Sequence, residues 1–369
     1  MARILILSRR SIRHPQSGGA SRYVHQIFRR LANRHDVTVL AGGTSDSLRS
    51  EEIDGITYHH FKGPFPRVVL PLRYVRNFAK RTDLLIDNAD VALPWLSPLF
   101  ARCRSIALVH QLVRDVFFDE LRWPISNIGF LVEPLLYRTY SKSKLVAVSK
   151  STALDLVHCG IPEENISIIS PGCEKSAFSP LSVAEREANT IACVSRLMRY
   201  KGLNFGLKAF ANVVKTLPDA SLILAGTGPY EQQLSRLCSE HGLTENVTFV
   251  GRVSDESKFK LLRHARVVIS PSRREGFGIS VLEANSVGTP VVGWNVPGLT
   301  DSVVHDVTGL LATYPDLEEF ADKLKMLLSD DPIWNRLSSN AWKWALEHSW
   351  DQSALQFERV IEETLDIKI

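Results

Sequence analysis

The sequence predicts an α/β protein built from two doubly wound, Rossmann-like domains. Three observations predict it. Short apolar runs alternate with amphipathic stretches, the signature of parallel strands covered by helices. The alternation breaks at a polar stretch, residues 179–190, and then restarts. The length of 369 residues suits about two domains of ordinary size.

In the first half, RILIL (3–7) reads as a buried strand, followed by a helix over 19–32. Strands are then expected at 36–40, 56–61, 83–87, 105–110 and 144–149. After a linker near 176–189, strands are expected at 191–195, 220–226, 246–251, 265–270 and 289–294, with a helix over 203–217. The expected domains are 1–178 and 190–345. A final amphipathic segment, 346–369, is expected to pack back on the first domain as a helix.

Composition excludes several classes. The five cysteines are odd in number and form no CxxC pair, which argues against a disulfide framework and a zinc ribbon. The apolar run at 4–7 is too short for a signal peptide, and no stretch reaches the ~20 apolar residues of a spanning helix. A cytoplasmic protein is expected. Residues 1–180 carry 24 basic and 16 acidic side chains, whereas 181–369 carry 20 and 24, so the positive charge lies in the first half. That asymmetry suits an anionic partner such as a membrane surface or a phosphorylated acceptor, or is ordinary surface variation; nucleic acid is not expected.

The strongest chemical signal is SPSRREGFGISVLEANSVGTPVVGW (270–294). Gly276 and Gly278 leave room for a ligand at the backbone. The N–H groups of Phe277, Gly278 and Ile279 open a helix whose dipole favours a diphosphate. Glu275 lies in the loop. Glu283 lies in an apolar helix where its carboxylate needs a partner, either ribose hydroxyls or a structural salt bridge. In CVSRLMRYKG (193–202), Arg196 and Lys201 place two cations at a strand-to-helix crossing, which suits a diphosphate leaving group or a surface pair. Gly18 and Gly19 fall between the first strand and the first helix, where backbone N–H groups can approach a phosphate; the pattern is not GxGxxG. His110 ends a strand, where it can bond a sugar hydroxyl or sit as a satisfied core residue. His59 and His60 are adjacent and so point to opposite faces of a strand, a poor metal pair. With no Asp-x-Asp anywhere, no metal site is expected.

From SGGA (17–20) to the Ser349–Trp350 dipeptide, these residues resemble the retaining glycosyltransferases of the GT-B fold, glycosyltransferase family four (group 1). The most specific element is the Glu–seven residues–Glu motif, EGFGISVLE. The resemblance implies two domains facing each other across a cleft. It implies that Glu275 holds donor sugar hydroxyls, Glu283 bonds the ribose, and Arg196 and Lys201 neutralise the departing diphosphate. Gly19 would contact the phosphate region, His110 the transferred sugar, and Val253 the base through its backbone. Three positions depart from the family pattern: Gln111 and Asp301 replace a frequent acid and a usual Glu, and SPGCE (170–174) replaces Asn-Gly-Val-Asp. The implied reaction retains the anomeric configuration, moves a sugar from a UDP- or GDP-sugar to an acceptor such as a lipid-linked glycan, and needs neither cofactor nor metal. With no clear covalent nucleophile, a front-face displacement is expected. A nucleotide-sugar epimerase and a catalytically inactive scaffold subunit are the alternatives.

The segment FPRVVLPLRYVRNFAKR (65–81) has no acidic residue. Arg73, Arg76 and Lys80 recur at helical spacing beside Leu72, Val75 and Ala79, and Arg67 and Arg81 add charge. This pattern predicts a basic amphipathic helix on the anionic inner face of the cell membrane, or a helix packed on its own domain with its charges in water.

Overall fold

The computed structural model describes residues 1–44, 49–63, 65–90, 93–174 and 179–366. The chain divides into two compact units, the first formed by Met1–Gly172 with Trp350–Ile369 and the second by Cys173–Ser349. The expected boundary at 178 and the start of the expected linker fall at 175–178, outside the described residues.

The first unit runs β1 (Arg3–Ser8), α1 (Gly19–Leu31), β2 (Asp36–Gly42), β3 (Ser50–Ile53), β4 (Ile56–Phe61), α2 (Pro66–Asn77), β5 (Leu84–Ala89), β6 (Arg104–Val109), α3 (Val116–Glu120), α4 (Ile125–Arg138), β7 (Lys144–Ala147), α5 (Lys150–His158) and β8 (Ile166–Ile168). Its sheet has the order β3-β4-β2-β1-β5-β6-β7-β8. All neighbours are parallel except the β3–β4 pair. β1 and β5 are buried almost throughout, as strands covered on both faces must be. The direction of winding reverses between β1 and β5, so the loops leaving their carboxyl ends open a crevice there.

The second unit runs β9 (Glu187–Val194), α6 (Leu203–Val214), β10 (Ser221–Ala225), α7 (Glu231–Glu240), β11 (Val247–Gly251), α8 (Asp255–His264), β12 (Ala265–Ser270), α9 (Ile279–Ser286), β13 (Val291–Trp294), α10 (Leu299–Ser302), β14 (Gly309–Ala312), α11 (Leu317–Ser329) and α12 (Asp331–Leu346). Its parallel sheet has the order β11-β10-β9-β12-β13-β14, with the switch between β9 and β12. Trp294 packs on Phe320 with ring centroids 4.4 Å apart, at the centre of the core. The polar stretch 179–190, read as a linker, belongs to this unit. Arg186 is buried there over the Trp334 ring and donates to the carbonyls of Arg263 and Ala265 and to the Thr289 hydroxyl, so its charge is matched by acceptors rather than by water.

The last helix, α13 (Trp350–Leu365), returns to the first unit and lies on α1. Edge-to-face contacts join Tyr23 to Trp350 and Phe28 to Phe357, at 5.7 and 5.2 Å. Arg30–Asp351 and Arg34–Glu358 ion pairs, both 2.6 Å, flank that apolar seam.

Candidate functional site

In the second unit, the loops after β9, β12 and β13 meet at the carboxyl end of the sheet. Two glycines permit the close approach. Gly202 has φ +63, and a Cβ there would lie 2.0 Å from the Pro271 carbonyl oxygen. Gly298 has φ +84, and a Cβ there would lie 2.0 Å from the carbonyl oxygen of Glu275. Any other residue would force the loops apart.

Across the switch point, Lys201 from the β9 loop reaches Glu275 from the β12 loop. Its Nζ lies 2.6 Å from Oε1 and 2.8 Å from Oε2. The Ser272 hydroxyl donates to the same Oε1 at 2.7 Å. The two side chains are only 14% and 13% exposed. Burial pushes the Lys201 ammonium down, but the charge and hydrogen bond of Glu275, with Tyr200 adding to them, together make the net shift upward, so Lys201 is a cation at neutral pH. Arg196, in the same loop, donates to the Tyr200 hydroxyl at 2.7 Å. The structure thus brings Arg196, Lys201 and Glu275 together as one charged cluster.

Behind the cluster, α9 opens immediately after Gly278, and its first N–H groups have no acceptor within the helix. Gly276 and Ile279 are half-buried. The ring of Phe277 is buried and stacks on Trp344, 6.4 Å between centroids, so it anchors the loop while its backbone stays at the helix entrance. Val253 is half-buried in the connection between β11 and α8.

Of the two partners the sequence left open for Glu283, ribose hydroxyls or a structural salt bridge, the structure contains the second: Lys258 from α8 lies 2.7 Å away. Both side chains are more than nine-tenths buried. Lys258 was not singled out from the sequence. The one available signal is its place four residues before Leu262, on the face that α8 buries.

In the first unit, His110 follows β6 and is buried. Its Nε2 lies 2.7 Å from Asn88 Oδ1 at the end of β5, and Asn88 Nδ2 donates to the Ser8 hydroxyl at 3.1 Å. An amide oxygen only accepts, so Nε2 carries the proton and Nδ1 keeps its lone pair. Burial lowers the imidazole to about 4, which keeps it neutral. The Tyr23 ring packs edge-on against His110 at 5.3 Å. Gly18 caps α1 in extended conformation, φ −145, and Gly19 begins the helix, so free N–H groups face the β1 crevice. Asn88 is a further residue the sequence did not mark. Gln111 is buried beside His110.

The basic segment is not one helix. α2 ends at Asn77, and Lys80 and Arg81 lie on a separate 3-10 turn, Ala79–Arg81. Arg76, Lys80 and Arg81 are exposed and Arg73 is half-buried. Arg67 does not face outward as expected; it pairs with Asp90 at 3.2 Å and lies over the Trp95 ring. Leu72 is 59% exposed, whereas Ala79 of the expected apolar stripe is buried. Among the described residues, no helix is long and apolar enough to cross a membrane, and no group of three His, Cys, Asp or Glu side chains could hold a metal ion.

Two family descriptions tile the chain. Glycosyltransferase Family 4 matches residues 17–176, and Glycosyl transferases group 1 matches residues 177–344. An uncharacterised glycosyltransferase of Methanocaldococcus jannaschii is 30% identical over 245 residues, 62% of this chain and 62% of that protein. The chain therefore spans less than two thirds of that relative's length. The GDP-mannose-dependent α-(1-6)-phosphatidylinositol monomannoside mannosyltransferase of Mycobacterium tuberculosis is 25% identical over 340 residues, 86% of this chain and 87% of that one. The crystal structure of Anabaena HepE in complex with UDP and glucose superposes with a TM-score of 0.79 at 20% identity, covering 98% of this chain and 100% of the other, a likeness of fold.

Proposed function

Because the chain belongs to the group 1 glycosyltransferases of GT-B fold, we propose that it moves a sugar from a UDP- or GDP-sugar to an acceptor hydroxyl with retention and without a metal. The observation that carries this reading is the cluster of Lys201, Glu275 and Arg196 at the β9/β12 switch point, beside the opening of α9. Two fixed cations and free helix N–H groups suit a diphosphate. A carboxylate within 2.6 Å of one of them suits sugar hydroxyls.

On arrival of the donor, the diphosphate exchanges for the Glu275 carboxylate as partner of Lys201. Glu275 is then released to accept from hydroxyls of the sugar. The acceptor oxygen attacks the anomeric carbon from the face the diphosphate leaves, and its proton passes to the departing phosphate oxygen. The new glycosidic bond and a free nucleoside diphosphate balance the reaction. Arg196 and Lys201 stabilise the charge that builds on the leaving group. His110, neutral with Nδ1 open, accepts from a hydroxyl of the transferred sugar. Val253 would present its backbone to the base. Glu283, paired with Lys258, would accept from the ribose.

A lipid-linked acceptor at the cytoplasmic membrane face completes the proposal, supported by the mannosyltransferase relative, whose name specifies a phosphatidylinositol mannoside, and by the exposed bases Arg76, Lys80 and Arg81. The test is turnover: incubation with a panel of nucleotide sugars, with and without glycolipid extracts, followed by assay of released nucleoside diphosphate and of the anomeric configuration of the product. Interconversion of free nucleotide sugars without an acceptor would make the chain an epimerase. Failure to turn over any donor would leave the inactive-scaffold reading.

A further inference from the structure

The helix α4 is inside out. The residues it buries include Ser126, Glu133 and Tyr137, at 3%, 0% and 0% exposure. Glu133 explains why that face turns inward: its carboxylate accepts the backbone N–H groups of Val113 and Arg114 at 2.6 and 2.8 Å, anchoring α4 to the loop after β6. The opposite face presents Ile125, Ile128, Leu131 and Leu135 at 61%, 57%, 69% and 56% exposure, a stripe at helical spacing. Trp123, just before the helix, is 80% exposed. A helix on a soluble domain carries the reverse pattern. Five such side chains expose a surface on the order of 500 Å², at the upper end of what a soluble monomer leaves uncovered.

We infer that this stripe inserts into the head-group and upper acyl region of an anionic membrane, and that it, rather than the basic run of α2 alone, anchors the protein. Three features select a lipid surface as the occupant. Trp123 stands at one end of the stripe with Arg122 beside it, and Arg138 closes the other end, the arrangement of aromatic and basic residues favoured at a membrane interface. The first turn of α2 lies near the last turn of α4, since the Arg67 guanidinium and the Tyr137 hydroxyl are electrostatic neighbours, and α2 exposes Val68 and Leu72, at 60% and 59%. The segment 62–81 holds six basic residues and no acidic one. A second copy docked on this face would set those bases against like charges, whereas an anionic leaflet complements them. The inference deepens the lipid-linked-acceptor reading above, but its test does not depend on catalysis.

The experiment floats the full chain with phosphatidylcholine vesicles, with and without phosphatidylglycerol, and follows Trp123 fluorescence. The wild type should float with the anionic vesicles and its emission should shift to the blue, a shift lost in Trp123→Phe. The double variant Leu131→Asp/Leu135→Asp, which alters exposed positions only, should lose vesicle affinity on the order of 100-fold while keeping its far-ultraviolet circular dichroism and its turnover of a water-soluble acceptor. Arg76→Glu/Lys80→Glu should weaken binding only where phosphatidylglycerol is present. Unchanged flotation in the leucine variant would overturn the inference. So would a wild-type dimer that the same variant dissociates while no vesicle is bound, since that would make a second copy the occupant. Vesicle binding as expected with no turnover of any donor would sink the transferase reading and leave this surface standing.

Discussion

Lys201 holds Glu275 by both carboxylate oxygens, at 2.6 and 2.8 Å, across the switch point of the second sheet. In the proposed reaction, the cation that would stabilise the leaving group and the carboxylate that would hold the sugar are each other's partner. Lys201→Ala and Glu275→Ala are each expected to lower kcat/KM at least 100-fold, about 3 kcal/mol of lost transition-state stabilisation. Because the two side chains share one interaction, the double variant should lose clearly less than the sum of the two single losses. Steady-state kinetics on the four proteins, with thermal unfolding as control, read this. Additive losses would show that the two residues act separately.

The Lys258–Glu283 pair supports a prediction of the opposite kind. Both groups are buried, so removing Lys258 takes from the Glu283 carboxylate the cation 2.7 Å away, whereas Lys258 without Glu283 would still have Asp255 at 2.8 Å. Lys258→Met is expected to destabilise the fold by about 3 kcal/mol or more, and Lys258→Met/Glu283→Leu to recover most of that loss. Urea unfolding measures both. Unchanged stability in Lys258→Met with weaker donor binding would return Glu283 to a purely ligand-directed role.

The order of strands and helices was legible because parallel strands buried on both faces read as continuous apolar runs. RILIL, ARVVIS and their kin stand out against amphipathic helices. The short strands β3, β8 and β14 were missed; of these, SEEI of β3 has three polar residues out of four and lies at the sheet edge, where only one side pairs. In the site, glycines and charges at strand ends marked Arg196, Lys201 and Glu275. Their pairing was not legible, since it depends on two loops 74 residues apart meeting at a switch point. The same limit hid Lys258 as the partner of Glu283 and Asn88 as the partner of His110. The basic run at 65–81 misled in a different way. Arg67 was counted with the basic residues of that face, but Asp90, brought close by β5, draws it inward.

Activity is expected to survive excess chelator. Lys201 and Arg196 supply positive charge where many transferases rely on a divalent ion held by carboxylates, and the chain has no Asp-x-Asp to hold one. Assay after EDTA treatment and desalting decides it. Loss of turnover that manganese restores would replace the two cations with a metal in the leaving-group role.

The last prediction concerns His110 and acid. Burial lowers its folded pKa to about 4 from an ordinary 6.5, so the folded state favours the neutral ring. The sign follows. Above pH 6.5 both folded and unfolded chains hold a neutral imidazole, and the stabilising contribution is complete. As pH falls from 6.5 toward 4, the unfolded chain gains a proton that the folded chain refuses, and stability declines. Over that window the loss amounts to about 3 kcal/mol. His14, His25, His35 and His59 are also lowered, with burial as the largest cause in each, so the total slope belongs to several rings. The difference between wild type and His110→Gln isolates this one. The variant can still donate an amide N–H toward Asn88, but it has no titration in the window. Urea unfolding at intervals across the range should therefore give a shallower pH dependence for the variant. Turnover of the wild type should hold down to about pH 4 as far as His110 is concerned, because the ring stays neutral with its Nδ1 lone pair available. Parallel stability curves for the two proteins would show that the folded chain admits the proton after all, and with it a cationic His110 in the site.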